Sequence, residues 1–187
     1  MTPPSPQDDA HLPEELMWEG RFIAAKRRGR WEYVSRTRGI GAAVILAIEE
    51  DDATGQRHVI LVDQYRVPLG CRCIELPAGL VGDEDAGEDP ALAASRELEE
   101  ETGFRAGRIV SLGRFHSSPG MVSESFTLFR AHDLKQVGAG GGVAGEDIRV
   151  HRVALDRLAD WLAARRAEGY AVDVKLLTLL GAALIAD

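Results

Sequence analysis

Two apolar runs dominate the pattern of the chain. Gly41-Ala42-Ala43-Val44-Ile45-Leu46-Ala47-Ile48 and His58-Val59-Ile60-Leu61-Val62-Asp63-Gln64-Tyr65 are rich in β-branched residues and flank a polar turn, residues 49–55. They predict core strands. Residues 74–77 form a brief strand ending at Pro77, and residues 109–112 and 125–130 supply two more. Near the N-terminus, Arg21-Phe22-Ile23 and Trp31-Glu32-Tyr33-Val34 predict two short strands around a basic turn, residues 25–30. Such a hairpin is marginal alone and must dock on the main body or on another subunit. Three segments have helical patterning. The first has Asp89 as N-cap, Pro90 at the first helical position, a body over residues 91–102, and Gly103 as a left-handed stop. Residues 156–168 place Leu158, Trp161 and Leu162 at helical spacing, and residues 172–186 are more apolar and predict a more buried helix. Strands first, with helices inserted and appended, predict an α+β fold or a three-layer sandwich.

Composition narrows the picture. A chain of 187 residues suits one domain, or one domain with an appendage. Residues 1–16, Pro-rich and acidic, read as a flexible tail, residues 17–38 as the hairpin and residues 39–187 as the main domain. The tail lacks the basic start and apolar core of a signal peptide. The apolar run 176–186 is interrupted by Thr178 and Gly181 and falls short of the ~20 residues a membrane span needs, so it reads as a packed helix. A net charge of -8 argues against a nucleic-acid backbone or an anionic membrane as partner. Cys71 and Cys73 are too few for a structural zinc site and fit free thiols in a reducing cytoplasm. The Gly-rich patch over residues 138–145 reads as a mobile loop, and such loops can be lids.

The candidate chemistry lies in GEDPALAASRELEEETGF, residues 87–104, which surrounds Arg96 with acids. Glu97, Glu100 and Glu101 at i, i+3 and i+4 share one helix face, where like charges repel and, near a helix C-terminus, oppose the macrodipole. One reading is a solvated face offset by Arg96 and Arg105. The other is a site for a hard divalent cation such as Mg²⁺, which takes carboxylate and carbonyl oxygens and can hold a substrate's phosphates.

The spacing Glu88, Arg96-Glu97-Leu98, Glu100-Glu101, Gly103-Phe104 resembles the Nudix box, E-x7-R-E-U-x-E-E-x-G-U with U a bulky apolar residue. Gly82 meets the motif's opening glycine by count, but Gly79 of Glu75-Leu76-Pro77-Ala78-Gly79 is the preferred match, which leaves a three-residue insertion in residues 81–86. Outside the box, Gln64-Tyr65-Arg66, residues 74–79, Ser118-Pro119-Gly120 with Glu124, and Glu146-Asp147-Ile148-Arg149-Val150 resemble the ADP-ribose pyrophosphatase branch. The resemblance covers roughly residues 40–186. It implies a Nudix-type α/β/α sandwich with a mixed sheet, carrying an N-terminal antiparallel hairpin or small sheet that such enzymes exchange within a homodimer.

The resemblance further implies that Glu97 and Glu101, with the backbone carbonyl of Ala78, hold Mg²⁺ or Mn²⁺. Glu100 bridges metals or takes a proton from the attacking water. Arg96 would orient these carboxylates by charge-assisted bonds. Glu88 is either an outer ligand or a favourable charge near the helix N-terminus. Arg66 matches a phosphate or ribose contact or else a surface arginine. Glu75 and Glu124 match positions near the substrate, and Gly120 and Met121 match pocket-lining backbone. Trp31, Phe22 and Arg38 are candidates for holding a base. In many relatives the catalytic base lies on a mobile loop just before the strand like Asp147-Ile148-Arg149-Val150, and one well-known arrangement puts it where Ala144 stands here, so Glu146 or Glu100 must serve, with Glu146 preferred. The implied activity is hydrolysis of the pyrophosphate of ADP-ribose to AMP and ribose 5-phosphate. GDP-mannose or another nucleoside diphosphate sugar is the alternative substrate, and a non-catalytic nucleotide-sugar-binding module is the alternative role.

Overall fold

A computed structural model describes residues 5–51, 53–82, 87–143 and 145–179. The first elements are a single helical turn, α1 (Pro6–Asp9), and three strands, β1 (Glu14–Glu19), β2 (Ile23–Arg28) and β3 (Trp31–Arg36), which form an antiparallel sheet. Residues 5–16, expected as a loose tail, therefore carry the helical turn and the start of a third strand. The reason is charge complementarity: Asp9 pairs with Arg30 at 2.9 Å and Glu14 with Lys26 at 2.7 Å. The basic run is correspondingly not a hairpin tip. Residues 25–28 lie within β2, where the acidic residues of β1 face them, and the turn is Gly29-Arg30, with Gly29 at φ 56°. The sheet docks on the main body through the segment before β10 (Ser125–His132): Val34 donates to the carbonyl of Met121 (2.9 Å), and Ser123 donates to that of Val34 (2.9 Å).

The main sheet is mixed. In chain order it contains β4 (Ala42–Glu50), β5 (Arg57–Arg66), β6 (Cys71–Glu75), β7 (Ala78–Leu80), β9 (Arg108–His116), β10, β12 (Arg149–Ala154) and β13 (Ala171–Val172), while β8 (Phe104–Arg105) and β11 (Lys135–Gln136) pair separately. β4 and β10 run parallel, as do β6 and β13; the other pairings are antiparallel. One face packs Val59, Leu61, Ile74 and Val153 against Leu158 and Leu162 of α3 (Leu158–Ala167) and against Leu176 and Leu179. The other packs Ile45, Ile60 and Phe129 against Ala94 and Leu98 of α2 (Pro90–Thr102). Helices on both faces of a mixed sheet make the expected α/β/α sandwich.

The expected helix over 172–186 begins differently. Ala171 and Val172 pair with Cys73 and Ile74, and a 3₁₀ turn (Val174–Leu176) capped by Asp173 follows before helix resumes at residue 177. Its continuation over residues 180–187 lies outside the described residues. Among the described residues no helix is long and apolar enough to cross a membrane. Cys71 and Cys73, two positions apart on β6 and so on one face of it, are free thiols.

A crevice arises where β4 and β5 part. They pair only over residues 48–50 and 57–59; beyond that, β5 pairs with β6 while β4 takes β7. Residues 76–77 carry the chain from one to the other, with Pro77 accepting from Ile45 N at 2.8 Å.

Candidate active site

The helix at the crevice forms as its sequence dictates. The Asp89 carboxylate accepts from Ala91 N (2.7 Å) and Leu92 N (3.4 Å), Pro90 occupies the first turn, and Gly103 ends the helix at φ 72°. Ala93, Ala94 and Leu98 are buried against the sheet, which leaves Glu97, Glu100 and Glu101 along the crevice.

Arg96 braces this acidic face. Its Nη1 lies 3.0 Å from Glu97 Oε1 and 3.2 Å from Glu100 Oε2, and its Nε donates to Glu88 Oε1 at 3.4 Å. Burial works against the guanidinium's charge, but Glu88, Glu97 and Glu100 together hold its pKa above the usual value. Glu88 also accepts from Gly82 N at 3.4 Å, so it belongs to the outer bracing of the site. Arg105 pairs instead with Glu99, bidentately at 2.8 Å, and offsets none of the crevice acids.

Glu101 is the buried member, 5% exposed, and accepts from Ala78 N at 3.0 Å. Burial, with Glu97, Glu146 and Glu75 nearby, pushes its carboxyl up to about 8 despite the Ala78 bond. Burial raises Glu97 too, with Glu100 and Glu146 adding to it and Arg96 opposing. A Cβ at Gly79 would overlap the Glu97 side chain, so any larger residue there would displace that carboxylate. Clustered oxygen donors, under-compensated by cations, fit a hard divalent ion. Among the described residues, no three acidic, histidine or cysteine side chains are already gathered around one ion position. Arg96 draws Glu97 and Glu100 toward itself, so these two would have to turn from it toward an ion.

The whole crevice, a cavity of about 720 Å³, brings together most of the predicted residues. Arg66 and Glu75 form a bidentate pair (2.6 and 2.7 Å), which holds the arginine's pKa above its usual value. Glu124 pairs with Arg36 at 2.5 Å, and Glu146 enters from the Gly-rich segment. That segment was expected to stand free. Instead Gly141 N donates to the carbonyl of Glu101 (2.8 Å) and Gly142 N to that of Glu100 (3.0 Å), so it is strapped to the end of α2. Ala144 lies outside the described residues.

Other candidates are not at the crevice. Trp31 and Gly120 line a separate hollow of about 410 Å³ beside the N-terminal sheet. Met121 and Phe22 are exposed, and Arg38 is not among the residues lining either cavity. A strand alternates faces, so Arg36 and Arg38 point the same way in an extended chain, and sequence alone did not show that Arg36, at the end of β3, is the one that reaches the site. Lys175, which pairs with Asp173 at 2.5 Å, and Phe126 also line the crevice and were not foreseen. Lys175 lies within the segment 172–186 that reads as a buried helix, which concealed it.

The Nudix domain family model matches residues 37–171, well over half of the chain. The chain belongs to the Nudix family. Its acidic helix is thus a Nudix box in both spacing and position. The Nudix chain is 38% identical over 94 residues to an ADP-ribose pyrophosphatase of Bacillus subtilis (strain 168), covering 50% of this chain and 46% of the relative. It is 36% identical over 152 residues to a GDP-mannose pyrophosphatase of Enterobacter sp. (strain 638), covering 76% and 72%. The crystal structure of an ADP compounds hydrolase shares its fold at a TM-score of 0.67, with 24% identity over 94% of this chain and 93% of that one. Counting the Bacillus subtilis enzyme, the chain spans 55%, 64% and 46% of the length of three curated relatives it matches, about half to two thirds.

Proposed function

We propose that the protein is a divalent-metal-dependent hydrolase that cleaves the pyrophosphate of ADP-ribose to AMP and ribose 5-phosphate. The observation that carries this reading is the convergence of Glu97, Glu100, Glu101, Glu146 and Arg66 on one crevice. Glu97, Glu101 and the Ala78 carbonyl, with Glu100, are the groups that would hold Mg²⁺ or Mn²⁺. When bound, the metal neutralises phosphate charge and favours deprotonation of water.

The protein's own groups supply the rest. Arg66 spends Nε and Nη2 on Glu75, which fixes its plane and directs the remaining Nη1 edge to a phosphate oxygen. Glu146 accepts the proton of the water that attacks phosphorus as the bridging P–O bond breaks. Glu124 is held by Arg36 at the crevice edge, where sugar hydroxyls would lie. Trp31 and Gly120, apart from the crevice in one chain, would meet a base only across a homodimer; the exposed Leu16, Met17, Trp18, Phe22 and Trp31 of the N-terminal sheet support such a partner. A cytoplasmic setting and a nucleoside diphosphate sugar as the only class of partner besides a second copy complete the reading.

The test is hydrolysis of ADP-ribose and GDP-mannose with Mg²⁺, following AMP or GMP release. ADP-ribose should be the better substrate, Glu146→Gln should lower turnover by ~10²–10⁴-fold, the range of a lost proton-transfer group, and Glu101→Gln should abolish most turnover by loss of a metal-holding carboxylate. Only Glu101→Gln should weaken Mg²⁺ binding. Dominant GDP-mannose cleavage would remove the preferred substrate, and full activity in Glu101→Gln would remove the metal assignment.

A further inference from the structure

Glu146 and Asp147 are adjacent but turn to opposite sides of the sheet. Glu146 lines the crevice on the α2 side, whereas Asp147 meets Arg72 on the α3 side. Arg72 lies on β6 and Asp147 just before β12, and these two strands flank β5 on opposite edges, since both pair with Val62 and Asp63. The Arg72 side chain therefore crosses over β5. On the way it meets the Asp63 carboxylate with Nε, and its Nη2 donates to the Asp63 carbonyl at 3.0 Å. At the far side Nη2 donates to the Asp147 carbonyl at 2.7 Å and Nη1 pairs with the Asp147 carboxylate.

Arg72 is itself held. Asp63 is fully buried, its second oxygen lies 2.5 Å from His151 Nε2, and the His151 ring packs on Trp161 of α3 with centroids 5.0 Å apart. Neutralising the Asp63 charge is a stability requirement that the Nε contact already meets. The ion pair to Asp147, whose side chain is 69% exposed, adds little stability. The bond to the Asp147 carbonyl does something else, because it fixes the main chain one residue from Glu146. The other end of the same segment is tied to α2 by Gly141 and Gly142. Glu146 thus sits between two anchors, one on the helix that carries Glu97, Glu100 and Glu101 and one on Arg72.

We propose that Arg72 is a positioning residue for the hydrolysis: by gripping Asp147 it sets where the Glu146 carboxylate enters the crevice. This rests on the assignment of Glu146 as proton acceptor. Arg72→Lys keeps a cation beside Asp63 but cannot fork to the Asp147 carbonyl. It should lower kcat on the order of 10- to 100-fold, as misplacement of a reacting group does, with KM and Mg²⁺ affinity unchanged and the fold retained in a thermal melt. Asp147→Ala removes only the exposed carboxylate and keeps the carbonyl bond, so it should leave kcat near the wild-type value, whereas an Asp63→Asn/Arg72→Gln variant, which removes the buried charge together with the fork, should lower kcat as Arg72→Lys does and serves if Arg72→Lys does not fold. Because Arg72 acts through Glu146, Arg72→Lys should slow an Glu146→Gln enzyme no further. Full additivity in the Arg72→Lys/Glu146→Gln protein, wild-type kcat in a folded Arg72→Lys or Asp63→Asn/Arg72→Gln protein, or a raised KM at unchanged kcat would overturn the positioning role. Wild-type turnover in Glu146→Gln would instead overturn the proton-acceptor assignment beneath it.

Discussion

Glu101 concentrates the chemistry of the site into one side chain. Its burial and its acidic neighbours raise its pKa from the ordinary 4.5 to about 8, and Glu97 is raised by the same cause. A carboxyl whose folded pKa exceeds its unfolded one binds its proton more tightly in the native state. Its contribution to stability is therefore full below about pH 4.5 and is lost as pH climbs through about 8. Metal-free protein should melt at progressively lower temperature from pH 5 toward pH 8 (roughly the window set by these values), and Mg²⁺ should restore the most stability at the alkaline end, where the proton no longer competes. Melting in chelator and in Mg²⁺ across this range checks both, and a Glu101→Gln protein with the same chelator profile as wild type would refute the assignment. The spacing of Glu97, Glu100 and Glu101 exposed them as a group in the sequence, because helical geometry relates i, i+3 and i+4 without any tertiary information. That Glu101 is the buried one, and Arg66 is committed to Glu75, was not legible, since the first depends on where β7 meets α2 and the second on the register of β5 against β6.

At the scale of elements, α2 ends where two parts of the site join. Gly103 closes the helix at φ 72°, accepts at its carbonyl from Val137 N (2.8 Å) and Gly138 N (3.1 Å), and leaves no space for a Cβ beside the Gly138 carbonyl. Gly103→Ala should destabilise the protein by at least ~1–2 kcal/mol, the cost of a left-handed alanine, and should lower turnover by loosening the strap that carries Glu146. Urea denaturation would measure the first effect, and an unchanged midpoint would show that this stop is dispensable. The cap residues were readable because Asp89-Pro90 and Gly103 act locally. The strap was read as a free loop because its partners, the last carbonyls of α2, are unsatisfied groups that a linear pattern does not display.

Across the whole molecule, the N-terminal sheet leaves Leu16, Met17, Trp18, Phe22, Ile23 and Trp31 exposed and contacts the main body chiefly through residues 34–36 and 121–124. A surface this apolar is expected to meet a partner. With the hollow holding Trp31 set apart from the crevice, a second copy is the partner that would complete a base site, and sedimentation equilibrium should give twice the mass of one chain. A Trp18→Glu variant should shift it toward one, and a wild-type monomer at micromolar concentration would remove the homodimer.

The sequence by itself determined the two core strands, the capped acidic helix and the group of carboxylates, because each follows from periodicity or from contacts within a few residues, while the α/β/α class came from the resemblance of its motifs to the Nudix family. Tertiary structure alone decided that β4 and β5 part to open the crevice and that Arg36 and Lys175 reach it while Trp31 does not. It also decided that residues 5–16 fold back onto the basic strand, and that Arg72 crosses β5 to grip the chain beside Glu146. These arrangements join residues far apart in the chain, and only the closed sheet fixes which of many equally charged partners comes within hydrogen-bonding distance.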